Sequence, residues 1–589
     1  MYLRTTKVKR PDGRVDQYIR LVESYWNNGS PRHRVVCHLG RKDLLAPHAD
    51  ALLRLLTGQQ PARPEGTDPE AAEAWDWGPM LVARHFWQAL GLQESIDALA
   101  KRGGDRGALA DRALALVTNR LCHPSSEHGM ALWLETDYVC DRYGERWLPQ
   151  WRDDAERLSS RRPRVRVGDR QLRQWYSTLD RLVAGKERLE KELFLRLRNL
   201  FALNADLVLY DLTSTYFEGR GPMGLAAHGK SRDEKPRNRQ ILVGLVMIDG
   251  WPIAHHVFPG NRRDALTVQG VLEDIQQRFG LRRVVFVGDR GMVTSDNIER
   301  IRAGEQGYVV GLNRRRRPQV QRYLQRATGA WLECPAGITA GERSALPRTL
   351  VQEVAADQEG VRVFVVHSDE RAAYETGQRL TAMERVGHQL EALKQQVAKG
   401  RLKAPEKIGA AAGRALARNH GFRYYSWELQ QGQFHYFEDP AKLEPEKALE
   451  GKYLIQTEEK DLSPIEAVEI YKGLSEVERA FRQLKDVIEM RPIYHQKPHR
   501  VEAHVFIAAL AFLIDRALEK KLKTGGSDIS STEAWEILKT VRVVEFSLGN
   551  GQRKRTVTRG SKRAAQILRA LGIQPLDPDS TAQSARTAA

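Results

Sequence analysis

The chain has 589 residues and a net charge of +18, from 93 Lys and Arg against 75 Asp and Glu. This length allows several domains, and the basic balance favours an extended polyanionic partner over a small neutral substrate. The four cysteines form no C-x-x-C pair, which argues against a disulfide framework or a structural zinc cluster. The first residues have no apolar segment of the kind that a secretory signal needs. The longest apolar run, at 505–514, is too short to span a bilayer. We therefore expect a cytoplasmic protein without a membrane partner.

The N-terminal third divides into three predicted regions. Residues 1–58 alternate apolar and polar positions around two turn signals, which predicts a small β-meander. A Pro-rich linker is predicted at 59–77. Residues 78–205 have helical periodicity with a basic connector before the last long helical stretch. This helical region fits a module that binds DNA ends and equally fits a plain helical bundle.

The pattern changes to a mixed α/β domain at residue 206. β-Branched runs predict three strands, with a tight hairpin turn at Asp249-Gly250 between the second and third. A helix, a short buried strand, a second helix and another strand follow, up to residue 311. Residues 312–450 interrupt this order and are predicted to form a β-rich insertion, after which the core resumes at 451–524. The C-terminal region, 525–589, is basic and ends in a tail predicted to be disordered.

Three acidic residues occupy unusual places in this predicted core. Asp211 lies within the first strand, Asp289 ends the fourth strand and Glu478 falls in a late helix. An unpaired charge is costly inside a sheet, whereas the carboxyl ends of α/β strands are where sites are built. Three converging carboxylates would repel one another unless cations lie between them, and Mg²⁺ prefers such oxygen ligands. The acids therefore predict a site for two divalent ions that act on a phosphodiester.

The segment "YKGLSEVERAFRQLK" at 471–485 places functional groups at helical spacing. Tyr471, Glu478 and Lys485 are seven residues apart and Arg482 lies four beyond Glu478, so in one helix they share a face. The simpler alternative is a solvated charged face in which Glu478 and Arg482 form an i,i+4 pair. If Glu478 binds metal, Tyr471, Arg482 and Lys485 are placed to contact the DNA backbone.

Further basic clusters lie near these positions. The loop at 228–239 follows the first acidic strand, and we expect its Lys230 and Arg237 to contact DNA, with surface solvation as the alternative. A run of four arginines opens the insertion, and such a block would repel itself without phosphate partners. These residues are Arg314, Arg315, Arg316 and Arg317.

The histidines are interpreted as structural rather than metal-binding. His255 and His256 are adjacent in a strand, so one of them must point inward, and a structural or substrate-facing role is expected. A second group loosely imitates zinc spacing, but prolines interrupt its helix and no cysteine is nearby, which argues against zinc. This group consists of His495, His499 and His504.

The segments "YDLTSTYFEG", "VGDRGM" and "VERAFRQLKDVIEMRPIYH" together resemble the three acidic blocks of a known family. This family is the DDE transposases of bacterial insertion sequences, in the "insertion sequence four" superfamily. Its last acid lies in a Tyr-x2-Arg-x3-Glu-x6-Lys signature, which Tyr471, Glu478 and Lys485 match, whereas Leu474 stands at the Arg position. The resemblance implies a ribonuclease H-like core with Asp211, Asp289 and Glu478 as catalytic metal ligands.

The resemblance also implies the reaction and the partners. The enzyme would bind the terminal inverted repeats of double-stranded DNA, hydrolyse a phosphodiester with two Mg²⁺ or Mn²⁺ ions, and join the freed 3′-OH to target DNA. It would act as a homodimer that pairs two ends in a synaptic complex, in the cytoplasm and associated with the nucleoid. Two alternatives are a ribonuclease H-like nuclease without strand transfer and a catalytically silent DNA-binding protein derived from a transposase.

Overall fold

The computed structural model describes residues 2–10, 15–27, 29–49, 70–103, 108–149, 169–201, 203, 206–281, 284–288, 294–312, 318–335, 347–547, 553–574 and 577–578. The chain divides into two compact units. The first comprises Met1–Ala74 and Val544–Thr556, and the second comprises Trp75–Val543 and Val557–Ala589. Across these ranges, no helix combines the length and the apolar character that crossing a membrane requires.

The described strands are numbered β1 to β17 in chain order. They are Tyr2–Lys9, Val15–Asn27, Ser30–Arg41, Glu70–Asp76, Leu207–Tyr216, Gln240–Ile248, Trp251–Pro259, Val285–Gly288, Gly307–Gly311, Leu332–Cys334, Thr349–Val354, Arg362–Ser368, Tyr425–Gln430, Gln433–Glu438, Lys452–Thr457, Arg542–Ser547 and Arg553–Val557.

The described α-helices are numbered α1 to α18 in the same way. They are Lys42–Leu45, Gly78–Ala89, Leu92–Gly103, Ala108–Cys122, Met130–Thr136, Asp169–Ala184, Lys186–Phe201, Val268–Phe279, Ser295–Ala303, Pro318–Arg326, Asp369–Ala398, Pro405–Ala417, Pro440–Leu449, Pro464–Lys472, Leu474–Arg482, Pro498–Thr524, Ser531–Leu538 and Lys562–Leu571. A π-helical turn at Gln483–Val487 directly follows α15.

The N-terminal sheet has the antiparallel order β1-β2-β3, which is the meander that the two turn signals predict. A second three-stranded sheet has the order β17-β16-β4. Its strand β4 lies within the segment predicted as a linker, so that prediction is wrong for Glu70–Asp76, and the rest of the linker lies outside the described residues. The partner strand β16 comes from the C-terminal part of the chain, which no local sequence pattern reveals.

The predicted helical region forms part of the hydrophobic core of the second unit. Helix α4 is buried from Leu109 to Cys122 except at Arg112, and it packs against the equally apolar α16. Three fully buried tryptophans, Trp77, Trp87 and Trp133, fill the space between the neighbouring helices. The described part of the region therefore packs as a helical bundle against the core, while its basic connector lies outside the described residues.

The large sheet has nine strands in the order β10-β11-β12-β15-β9-β8-β5-β6-β7. Strands β5, β6 and β7 are antiparallel neighbours, and β8 and β9 run parallel to β5. Asp249 and Gly250, at φ 49° and 72°, form the predicted hairpin turn, because both positions of this turn type need positive φ. The strand order and directions confirm the mixed α/β class and the ribonuclease H-like core.

The inserted segment differs from the predicted β-rich subdomain. Its strands β10, β11 and β12 extend the large sheet through β15, and only the β13-β14 hairpin forms a separate sheet. Helices α10 to α13 occupy more of the segment than its strands do, and α11 alone has 30 residues. The amphipathic α11 and α12 bury a separate apolar cluster that includes Val386, Leu390 and Ile408. The charged stretch at 370–400 was expected to be helical, and this mutual burial stabilises it as α11.

Candidate active site

Asp211 lies in β5, the central strand of the ribonuclease H-like part of the sheet. The neighbouring residues Tyr210 and Leu212 are buried, whereas Asp211 is half-buried. Its Oδ1 accepts a hydrogen bond from the Leu212 backbone N–H at 2.7 Å. A charged residue thus interrupts a strand that is otherwise buried over most of its length, which agrees with a functional rather than a packing role.

Glu478 lies on α15, which packs against β5. The buried side of α15 consists of Leu474, Val477, Ala480 and Phe481, at helical spacing of three and four residues. Glu478 is exposed on the other side of the helix. Within the parts of the chain that the structure describes, Glu478 and Arg482 form no ion pair with each other, so the i,i+4 pair of the simpler interpretation is not observed.

The prediction of one straight helix through 471–485 is wrong. Helix α14 ends at Lys472, α15 begins at Leu474, and a π-helical turn follows Arg482. Gly473 between the two helices keeps right-handed helical angles, φ −54° and ψ −25°, so the chain direction is not reversed there. A π turn adds a residue to the helical repeat and rotates the side chains beyond it. Lys485 lies within this turn and therefore leaves the predicted column.

An open cavity of about 450 Å³ brings Asp211, Tyr471 and Glu478 together on its wall. The Tyr471 ring lies 5.8 Å from the ring of Tyr453 in β15, measured between centroids. Burial raises the pKa of the Tyr453 phenol above its ordinary value, and the nearby Arg371 guanidinium opposes that shift. Two carboxylates on the wall of one open cavity provide the hard oxygen donors that a Mg²⁺ ion takes.

Asp289 lies outside the described residues, and so do all four arginines of the predicted basic run, Arg314 to Arg317. The described chain before Asp289 is the strand β8, which runs parallel to β5 with Leu209 opposite Val287. Its last residue, Gly288, is therefore one step beyond the level of Leu209. In the sequence, Asp289 is the residue that follows β8.

Lys485 has an internal partner. Its Nζ donates to Asp233 Oδ1 at 2.7 Å, and Arg491 donates to the same oxygen. The Asp233 side chain is only 2% exposed. Burial lowers the pKa of Lys485, and its bond to Asp233 opposes that shift. Through its bond to Asp233, Lys485 attaches the basic loop to the segment after Glu478. Its contact with DNA stays a prediction.

The basic loop is also attached to the acidic strand. The Arg232 backbone N–H donates to Ser214 Oγ in β5 at 2.8 Å, three residues beyond Asp211. Lys230 and Arg237 of this loop are exposed, as is Arg482 on α15. These three cations can reach a bound polyanion, and their roles as DNA contacts stay predictions.

The histidines lie away from this cavity. His255 is buried and its Nδ1 lies 2.9 Å from Glu190 Oε1, which agrees with the structural interpretation. His499 pairs with Asp180, apart from the other two histidines of its group. His495 and His504 instead form a buried cluster with Glu127, whose possible ligand atoms lie within 4.8 Å of one another.

The arrangement of this cluster supports a structural role. His504 Nε2 lies 2.9 Å from the Met490 carbonyl oxygen, and its Nδ1 lies 3.3 Å from a terminal nitrogen of Arg120. Both ring nitrogens therefore have protein partners. The buried guanidinium of Arg120 also supplies positive charge that balances Glu127.

Several residues of the cavity wall are not predicted by the sequence. Arg371 and Glu370 come from the first turn of α11, Ser368 is its N-cap, and Tyr453 comes from β15. Nothing in the local sequence around "SDERAAYE" distinguishes these residues from an ordinary helix start. Asp233 was missed because it lies within a loop singled out for its basic residues.

The strand order is that of a ribonuclease H-like fold, and two acids lie on one cavity beside its central strand. The family model "Transposase DDE domain" matches residues 204–514, and the model "IS1634 family transposase, N-terminal domain" matches residues 3–70. The chain belongs to the DDE transposases of insertion sequences. It is accordingly a transposase, an enzyme that cuts and joins DNA.

No curated protein sequence matches the chain. A solved structure of the piggyBac transposase in a synaptic complex with hairpin DNA is similar at 10% sequence identity, with a TM-score of 0.33. The similarity covers 81% of this chain and 82% of that chain.

Proposed function

We propose that the transposase cuts the ends of its insertion sequence and transfers them to new DNA with Asp211, Asp289 and Glu478 as its metal-binding acids. The observation that carries this proposal is the cavity wall shared by Asp211 and Glu478, two carboxylates from elements far apart in the sequence. Asp289 is included because it directly follows β8, the parallel neighbour of the strand that bears Asp211.

The oxygen donors of these acids fit Mg²⁺ or Mn²⁺, and we propose that two ions bind there. When bound, such ions activate the attacking water or 3′-OH and stabilise the leaving oxygen. The chain itself supplies the carboxylates and a rigid support for them, because β5 lies within the sheet and α15 packs on it through its apolar side. The cavity is open, which gives an extended substrate access to the acids.

We propose that the DNA backbone runs along the exposed cations near this cavity. Arg482 lies four residues beyond Glu478, and Lys230 and Arg237 lie on the loop that Asp233 attaches beside the site. Tyr471 lines the cavity with the acids. The four arginines at 314–317 are further candidates for DNA contacts. Lys485 is another candidate, because its bond to Asp233 holds the basic loop in place.

The finer assignment and the assembly are also proposals. Tyr471, Glu478 and Lys485 support membership of the "insertion sequence four" superfamily, with Leu474 as the departure from its signature. We propose that two copies of the chain pair the terminal inverted repeats in a synaptic complex. The net charge of +18 fits a cytoplasmic protein held on the nucleoid.

The test compares Glu478→Gln with the intact protein in cleavage and strand transfer on DNA that carries the ends of the element. We expect Mg²⁺-dependent activity in the intact protein and a loss of more than about 100-fold in the variant, because even outer-shell partners of a metal contribute 10- to 100-fold. DNA binding should be retained. Glu476→Gln is the matched control, since Glu476 lies on the same helix and pairs with Arg516 instead.

Each outcome has a distinct meaning. Unchanged activity in Glu478→Gln removes Glu478 from the proposed site. Cleavage without strand transfer in the intact protein indicates a nuclease. Binding to the ends without any metal-dependent cleavage indicates a catalytically silent DNA-binding protein.

A further inference from the structure

The cavity that holds the acids also receives a guanidinium from the inserted segment. Arg371 lies in the first turn of α11 and lines the cavity together with Asp211 and Glu478. It comes from the segment between the second and third proposed acids, so the inserted segment forms part of the cavity wall. This feature is independent of the residues that carry the family resemblance.

The Arg371 guanidinium is held in position on two sides. Its central carbon lies 5.2 Å from the ring centroid of Tyr453, which in turn packs against Tyr471. Its Nε donates to Glu375 at 3.0 Å, one helical turn further along α11. In the described part of the chain, its two terminal nitrogens donate no hydrogen bond. A guanidinium fixed through Nε with its terminal nitrogens available has the geometry that binds phosphate oxygens in pairs.

The other cation on the cavity wall is engaged differently. Lys472 Nζ donates to Thr349 Oγ1 at 2.8 Å, in a strand of the inserted segment. Leu474, which also lines the cavity, is apolar and 8% exposed. Arg371 is therefore the residue of this wall whose positive charge is both fixed and available to a ligand.

The position of Arg371 at a helix N-terminus favours an anion further. Helix α11 has 30 residues, and Ser368 accepts a hydrogen bond from the Arg371 backbone N–H as its N-cap. The start of a long helix carries partial positive charge that attracts phosphate. Glu370 on the same wall is acidic and opposes this attraction.

We propose that Arg371 contacts a phosphate of the DNA strand bound in the active-site cavity. This inference rests on the proposed function and assigns the inserted segment a direct share in substrate binding. The alternative is that Arg371 only ties α11 to the core, since Glu375 also accepts from the Gly451 N–H at 2.9 Å.

The test measures how the binding of an end-bearing DNA duplex depends on salt, in the Glu478→Gln background so that no cleavage occurs. Removal of one phosphate contact reduces the slope of log K against log salt by about 0.9, so Arg371→Gln should show this reduction. We expect about tenfold weaker binding at moderate salt, because the variant loses a charge-assisted hydrogen bond to phosphate. Arg371→Lys should keep the slope and lose part of the affinity, because it keeps the charge without the planar fork.

Two controls separate phosphate binding from a structural role. Glu375→Gln breaks the ion pair with Arg371 and keeps an acceptor for Gly451, so it should leave the slope unchanged. Arg401→Ala removes an exposed arginine beyond the far end of α11, about 40 Å away at 1.5 Å per residue, and should also leave the slope unchanged.

An unchanged slope in Arg371→Gln overturns the proposal, and so does a Glu375→Gln variant that reproduces the effect of Arg371→Gln. These outcomes concern binding alone. Failure of the proposed function instead appears as absence of metal-dependent cleavage in the protein with Glu478 intact, so the two failures are distinguishable.

Discussion

The ion pair between Asp233 and Lys485 leads to a quantitative prediction about the basic loop beside the active site. Asp233→Asn removes a negative charge whose side chain is 2% exposed and which accepts from both Lys485 and Arg491. Arg491 retains Asp486 as a partner, so the loss falls mainly on Lys485. Removal of one member of a buried ion pair costs roughly 3–5 kcal/mol. Because Asn keeps an acceptor oxygen, we expect the lower end, about 3 kcal/mol.

The assay is hydrogen exchange of the backbone amides in the loop, read peptide by peptide. A local loss of about 3 kcal/mol corresponds to roughly 100-fold faster exchange, at 1.4 kcal/mol per factor of ten. The penalty should shrink as the pH rises, because the pKa of Lys485 is lowered by burial and its charge is lost sooner without Asp233. Glu234→Gln removes the same charge from an exposed neighbour. Equal exchange rates in the two variants would refute the reasoning.

Two further predictions concern the stability of the core. Gly260→Ala places a Cβ 2.0 Å from the Gln240 carbonyl oxygen and should destabilise the fold by about 3 kcal/mol. Gly270→Ala, in an open position on α8, should instead stabilise the fold by about 0.5–1 kcal/mol. Thermal unfolding of both variants measures this contrast, and similar effects of the two substitutions would contradict it. Burial raises the pKa of Asp515 from 3.8 to about 6, so the folded state binds more protons between these values and the free energy of unfolding falls as pH rises through them. The Asp515→Asn variant lacks this pH dependence of the free energy of unfolding. Its stability relative to the unsubstituted protein, measured by denaturant unfolding, should therefore rise by about 3 kcal/mol between pH 4 and pH 7. A difference that stays constant with pH would contradict the raised pKa of Asp515.

Local patterns predicted the elements that carry the acids. The β-branched run around Asp211 forms β5, the turn at Asp249-Gly250 joins two antiparallel strands, and Glu478 lies on a helix. Each of these features is determined by neighbouring residues, through alternation, positive φ or helical spacing. The ribonuclease H-like arrangement of the central strands was implied by the family resemblance and not by these local patterns.

The features that were missed depend on distant partners. Lys485 meets Asp233, 252 residues away, and a π turn redirects it from the column that ideal helical spacing implies. Strand β4 pairs with β16, which lies more than 460 residues further along the chain. Arg371 reaches the cavity because β12 joins the large sheet and delivers the start of α11 to that place. Such pairings involve long separations that no periodicity within a short window encodes.

The assembly of the cavity wall from distant elements has a consequence during synthesis of the chain. Asp211 leaves the ribosome 267 residues before Glu478. At about 5–20 residues per second, roughly 13 to 53 seconds pass between the two. A nascent or prematurely terminated chain thus carries the first acid and the basic loop without the last acid. Because the proposed site needs Glu478, we expect chains that end before this residue to lack metal-dependent cleavage.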